Sequence, residues 1–80
     1  MAVHPAPDAL HVCLGSAYHL ARHGRSDVAV AAMREAIAAD PELRAAIEAK
    51  RQQYAEVVKD KDRQCHIERT VHDLMVRALA

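Results

Sequence analysis

The chain has 80 residues, 51% of them hydrophobic, and its eleven Lys and Arg residues are balanced by eleven Asp and Glu residues. A chain of this length forms one domain with a small core, and a neutral charge balance disfavours binding to nucleic acid. No apolar run approaches the roughly 20 residues that cross a bilayer, and the start lacks a leader pattern, so we expect a soluble, cytoplasmic protein that binds no membrane.

The first helix is expected over residues 8–23, after a flexible lead-in at residues 1–7. Asp8 is a suitable N-cap because its carboxylate accepts hydrogen bonds from the free amides of the first turn. Gly24 follows the last turn, where glycine adopts the left-handed conformation without steric cost. Apolar residues at spacings of three and four form one face of this helix: Leu10, Cys13, Leu14, Ala17, Tyr18 and Ala21.

Gly15 lies inside this helix, where glycine costs about 1 kcal/mol relative to alanine. A neighbouring helix that crosses too closely for any side chain would offset that cost. We therefore predict a close helix contact at Gly15 and a turn at Gly24.

A second helix is expected over residues 26–39, capped by Ser26 or Asp27. The short connection makes it an antiparallel neighbour of the first helix. Asp40 is the predicted cap of a third helix, and Pro41 suits its first position because the missing amide has no partner there.

Residues 41–80 fit one long helix or two shorter helices, at 41–58 and 62–79. No glycine or proline interrupts residues 42–80, and the segment 59–64 is polar on all sides. We favour a break near Asp60. The predicted fold class is therefore all-α, an antiparallel helical hairpin followed by one long or two shorter helices.

Residues 8–41 resemble a tetratricopeptide repeat, since they combine its residue types with its spacing. The matching positions are Leu14-Gly15, Tyr18, Gly24, Ala29, Met33, Ala36 and Asp40-Pro41. The first helix is two residues longer than in the usual repeat, and residues 41–58 resemble the polar helix that covers the last hairpin.

The resemblance implies a module that binds proteins or peptides. In such repeats the first helix lines the ligand groove, which here implies a partner-binding set of Val12, Ser16, His19, Leu20 and His23. A single repeat cannot bury its own apolar face. We therefore expect a homo-oligomer that associates through the last apolar stripe, formed by Ile67, Val71, Leu74, Met75 and Ala78.

His19 and His23 share a helix face and can reach one metal ion, but a zinc site takes at least three protein ligands. We expect no metal or other cofactor, and keep a metal-dependent or histidine-gated binding protein as one alternative. A small inhibitor that docks on a larger protein is another. Cys13 and Cys65 are expected as reduced thiols, and a single disulfide between them is the alternative. No glycine-rich loop could supply an oxyanion hole, so we expect no enzyme.

Overall fold

The computed structural model describes residues 5–62 and 65–80. It contains α1 (Pro5–Arg22), α2 (Ser26–Ala39), α3 (Pro41–Lys59) and α4 (His66–Leu79), and the described residues form no strand. The all-α class and the helical hairpin are therefore confirmed. Within the described part of the chain, none of the helices combines the length and the hydropathy that a membrane span requires.

The first helix begins at Pro5, three residues before the expected start at Asp8. Proline is tolerated in the first turn of a helix because its missing amide would have no intrahelical partner there. Asp8 consequently lies within the helix and does not precede it as a cap. The expected lead-in is wrong for residues 5–7, and residues 1–4 lie outside the described residues.

The turn between α1 and α2 is built around Gly24, as predicted. Gly24 has a φ of 75°, which lies in the left-handed region. Its amide donates to the Ala21 carbonyl at 3.0 Å, and the Arg25 amide donates to the Leu20 carbonyl at 2.9 Å. These two bonds form a Schellman motif, which satisfies carbonyls that the helix end would otherwise leave free.

The N-cap of α2 is Arg25, and it makes no side-chain capping bond. The prediction of Ser26 or Asp27 as the cap is wrong. The tight turn brings the chain into the helix one residue early, and the Arg25 carbonyl already accepts the first helical bond, from Ala29. The Asp27 carboxylate instead lies 3.1 Å from the Arg77 guanidinium of α4.

Asp40 and Pro41 start α3 as the sequence predicts. The Asp40 carboxylate accepts from the amides of Glu42 at 3.1 Å and Leu43 at 3.3 Å. Proline occupies the first turn. The cap and the fixed φ of proline thus separate α2 from α3 with a single residue between them.

The chain breaks after Lys59, so the prediction of two C-terminal helices is confirmed. Asp60 has extended backbone angles, and its carboxylate accepts from the Asp62 amide at 3.0 Å. This local bond stabilises a turn without glycine or proline. The fourth helix begins at His66 and not at residue 62, and residues 63–64 lie outside the described residues.

Every helix contacts the three others, and the most extensive contacts are within the α1/α2 and α3/α4 hairpins. The second hairpin packs across the first and encloses one apolar core. Its buried members are Leu10, Ala17, Ala29, Val30, Met33, Ile37, Leu43, Ile47, Val71, Leu74, Met75 and Ala78.

The stripe expected to mediate self-association is mostly part of this core. Val71, Leu74, Met75 and Ala78 are at most 6% exposed, and only Ile67, at 52%, is open to solvent. The prediction of an exposed apolar surface there is wrong. The break at Asp60 allows α4 to fold back against the other helices, so the same chain covers the stripe.

No helix crosses closely at Gly15. A Cβ placed on this residue would have no atom within 4 Å apart from the adjacent backbone of its own helix, so the predicted contact is wrong. The sequence correctly marks an unfavourable residue in a helix, but the cause that we assigned to it is absent.

Candidate functional site

An open groove with a volume of about 430 Å³ runs between α1 and α2. Three residues of the expected partner-binding set, Val12, Ser16 and Leu20, belong to its wall. The other lining residues are Ala9, Cys13, Ala17, Ala32, Met33, Ala36 and Leu43. All ten are uncharged and only Ser16 carries a hydroxyl group, so the groove is a mainly apolar surface.

The α1 residues that line the groove all lie on one side of the helix. Residues 9, 12, 16 and 20, and likewise 9, 13, 17 and 20, are three or four positions apart, so all six share one side of the helix. Ala17 at the base is buried, whereas Val12 at the edge is 66% exposed. The groove is therefore continuous with the core at its floor and open to solvent along its rim.

The α2 side consists of Ala32, Met33 and Ala36. Met33 and Ala36 are among the positions that match the repeat pattern, whereas Ala32 was not selected from the sequence. Ala32 and Ala36 are four residues apart and face α1 across the groove, and Val28, which is 45% exposed, continues the same row. The signal for Ala32 was its spacing of four residues from Val28 and from Ala36. We missed it because alanine at such positions equally reflects helix propensity alone.

His19 and His23 are not part of the groove wall. Both side chains are exposed at the end of α1, and their ring centroids lie 4.7 Å apart in an edge-to-face arrangement. The structure thus brings the two histidines together, as the i, i+4 spacing predicts, but separates them from Val12, Ser16 and Leu20. Among the described residues, no group of three or more His, Cys, Asp or Glu side chains is placed to hold a metal ion.

Cys13 connects the groove to the core. The thiol is partly buried and lies against apolar neighbours, and this burial raises the pKa of the Cys13 thiol above its ordinary value. Because the thiolate is the reactive form, Cys13 is a poor nucleophile at neutral pH. Neither Cys13 nor Cys65 forms a disulfide, as expected for reduced thiols.

No protein-family model, curated protein or solved structure matches this chain. The α1/α2 groove is the feature of the described structure that bears most directly on function. Its concave apolar wall, small side chains and lack of charge suit an apolar helix surface, which packs closely where side chains are short.

Proposed function

We propose that the chain is a small protein-interaction module in which the exposed rim of α1 at Val12 packs into the α1/α2 groove of a second copy. The observation that carries this proposal is an uncharged groove with Val12 66% exposed at its rim. Complete burial of an exposed valine side chain contributes roughly 1.5–3 kcal/mol to the free energy of association. In a two-fold dimer each such contact occurs twice.

The charge of the chain supports a second copy as the occupant. The formal net charge is zero, so two copies approach without long-range repulsion. None of the lining residues is ionisable at neutral pH apart from Cys13, whose raised pKa favours the neutral thiol. Two facing grooves consequently bring no like charges together, and the core of an interface is normally depleted of charge.

The likeness to a tetratricopeptide hairpin is part of the same proposal. Ala29 and Met33, two of the matching positions, are at most 1% exposed, which supports their use as interior positions of a helical hairpin. In repeat proteins an adjacent repeat covers the apolar face of each hairpin. We propose that a second copy takes that place here, in the cytoplasm and without catalysis. Metal-dependent binding through His19 and His23, and docking on a larger protein, remain predictions from the sequence.

Sedimentation velocity over about two orders of magnitude in protein concentration tests the proposal. We expect the wild-type chain to shift from monomer to dimer, and Val12→Glu to weaken the dimer by at least about tenfold because it places a carboxylate in the apolar interface. As a second readout, alkylation of Cys13 should slow as the dimer forms, because the thiol lines the groove.

Val76→Glu is the matched control. Val76 is 41% exposed on α4 and contributes to a different surface, next to Arg44 and Glu48. We expect its dimer to be as stable as the wild-type dimer. A wild-type chain that remains monomeric at every concentration, or equal weakening by the two substitutions, would contradict the proposal.

A further inference from the structure

A second cavity lies on another side of α1, where α1, α3 and α4 meet. Its volume is about 240 Å³, and its lining is mainly apolar. Residues from three helices converge there, among them Leu14, Gly15, Tyr18, Lys50, Tyr54 and Ile67. We call this cavity the tyrosine cleft, because both tyrosines of the chain contribute to it.

Gly15 helps to keep the tyrosine cleft open. It is one of the lining residues, and a Cβ at this position would meet no atom within 4 Å. The intramolecular packing therefore provides no reason for a glycine, although glycine weakens the helix by about 1 kcal/mol. Gly15 is exposed, so the space beside it is open to solvent and accessible to a ligand.

Lys50 gives the tyrosine cleft its charge. Its side chain is half-buried, and it forms no ion pair or hydrogen bond with any described residue. His11 is the other basic lining residue, and none of the lining residues is acidic. A half-buried lysine without a carboxylate partner among the described residues, beside apolar walls, is complementary to an anion with an apolar body.

We propose that the tyrosine cleft binds a small monocarboxylate that carries an aromatic ring. The carboxylate would accept a charge-assisted hydrogen bond from Lys50, and the ring would pack against Tyr18 or Tyr54. A cavity of roughly 150 Å³ holds benzene. Benzene has six non-hydrogen atoms, so in proportion to its volume of about 240 Å³ the tyrosine cleft accommodates about ten. That is the size of a phenyl-substituted short-chain acid.

The test compares phenylpropionate with phenylpropanol, which has the same ring and chain but no charge. Both are titrated into the wild-type chain and followed by calorimetry and by the shifts of the backbone amide resonances. We expect saturable binding of both compounds, with the acid bound about tenfold more tightly because of its bond to Lys50. The largest amide shifts should fall near Gly15, Lys50 and Tyr54.

Lys50→Met removes the charge and keeps most of the aliphatic chain. It should lower the affinity for the acid to that for the alcohol and leave the alcohol unaffected. Lys61→Met is the matched control, because Lys61 is exposed in the turn after α3, and it should change neither affinity. Gly15→Leu should weaken both ligands, since its side chain fills the cleft. Circular dichroism establishes that each variant is folded.

This proposal does not depend on the association of two copies. Val12 lies outside the tyrosine cleft, so Val12→Glu should disrupt the dimer and leave acid binding intact. Failure to bind either compound, equal affinity of the wild type for both, or an unchanged acid affinity in Lys50→Met would overturn the proposal.

Discussion

Gly15 and Gly24 differ in whether the structure requires a glycine. Gly24 has a φ of 75°, a conformation that costs other residues roughly 1–2 kcal/mol. Gly15 lies in regular helix with open space at its missing Cβ. At Gly24 the turn requires the backbone freedom of glycine, whereas at Gly15 no contact of the described structure requires a glycine.

Alanine at these two positions should have opposite effects on stability. We expect Gly15→Ala to raise the free energy of unfolding by about 1 kcal/mol, because alanine favours the helix and meets no atom. Gly24→Ala should lower it by about 1 kcal/mol, because the left-handed conformation becomes strained. Urea denaturation of both variants measures the difference. Destabilisation by Gly15→Ala would show that a close neighbour is present after all.

At the scale of the element, each helix boundary depends on a local bond between nearby residues. The Schellman bonds around Gly24 end α1, the Asp40 carboxylate starts α3, and the Asp60 carboxylate stabilises the turn after α3. Such interactions join residues at most five positions apart, so they are largely readable from the sequence. The start of α4 was misplaced because its cap, Cys65, makes no side-chain capping bond.

Asp40 provides a test of this local control. Replacing it with alanine removes the acceptor for the amides of Glu42 and Leu43, and we expect a loss of about 1 kcal/mol in the free energy of unfolding. Asp40→Asn keeps a side-chain oxygen and should retain most of the stability. Chemical denaturation of the two variants makes the comparison. Equal losses in both would show that the negative charge, and not the capping bond, stabilises α3.

At the scale of the whole molecule, the position of α4 decides which apolar surfaces remain open. Two contacts of Arg77 join α4 to α2. The Arg77 guanidinium lies 3.1 Å from the Asp27 carboxylate, and the Arg77 carbonyl accepts a hydrogen bond from the Arg34 guanidinium at 2.9 Å. These exposed contacts contribute a few tenths of a kcal/mol. The main stabilisation comes from the buried apolar side chains of α4, and its packing leaves the α1/α2 groove uncovered.

Met75→Ala tests whether the stripe of α4 is core or association surface. Met75 has no exposed area, and we expect the substitution to lower the free energy of unfolding by about 2–5 kcal/mol. That is a large part of the free energy of unfolding typical of a chain of 80 residues, roughly 4–12 kcal/mol. Val76→Ala, at an exposed neighbouring position, should change stability by less than about 0.5 kcal/mol.

The measurement is thermal unfolding of the two variants at low protein concentration, where the chain is monomeric. A stripe that stabilises only the dimer would leave the monomer unaffected by Met75→Ala. Such a result would restore the association surface that we expected from the sequence.

The sequence by itself determined the all-α class, the hairpin around Gly24 and the Asp40-Pro41 boundary. It favoured the break after α3 but also fitted one long helix. The resemblance to a tetratricopeptide repeat implied Val12, Ser16 and Leu20, which share one wall of the α1/α2 groove. The helical class, the turn and the helix boundaries depend on the 3.6-residue period and on bonds between near neighbours, and both are present in the linear order of residues.

Only the tertiary structure decided which apolar face is covered. It buried the α4 stripe, separated the histidine pair from the groove and left open space beside Gly15. Periodicity identifies an apolar face but does not specify whether that face meets its own chain or another. The choice depends on contacts between residues far apart in the sequence, because only the folded chain brings them together.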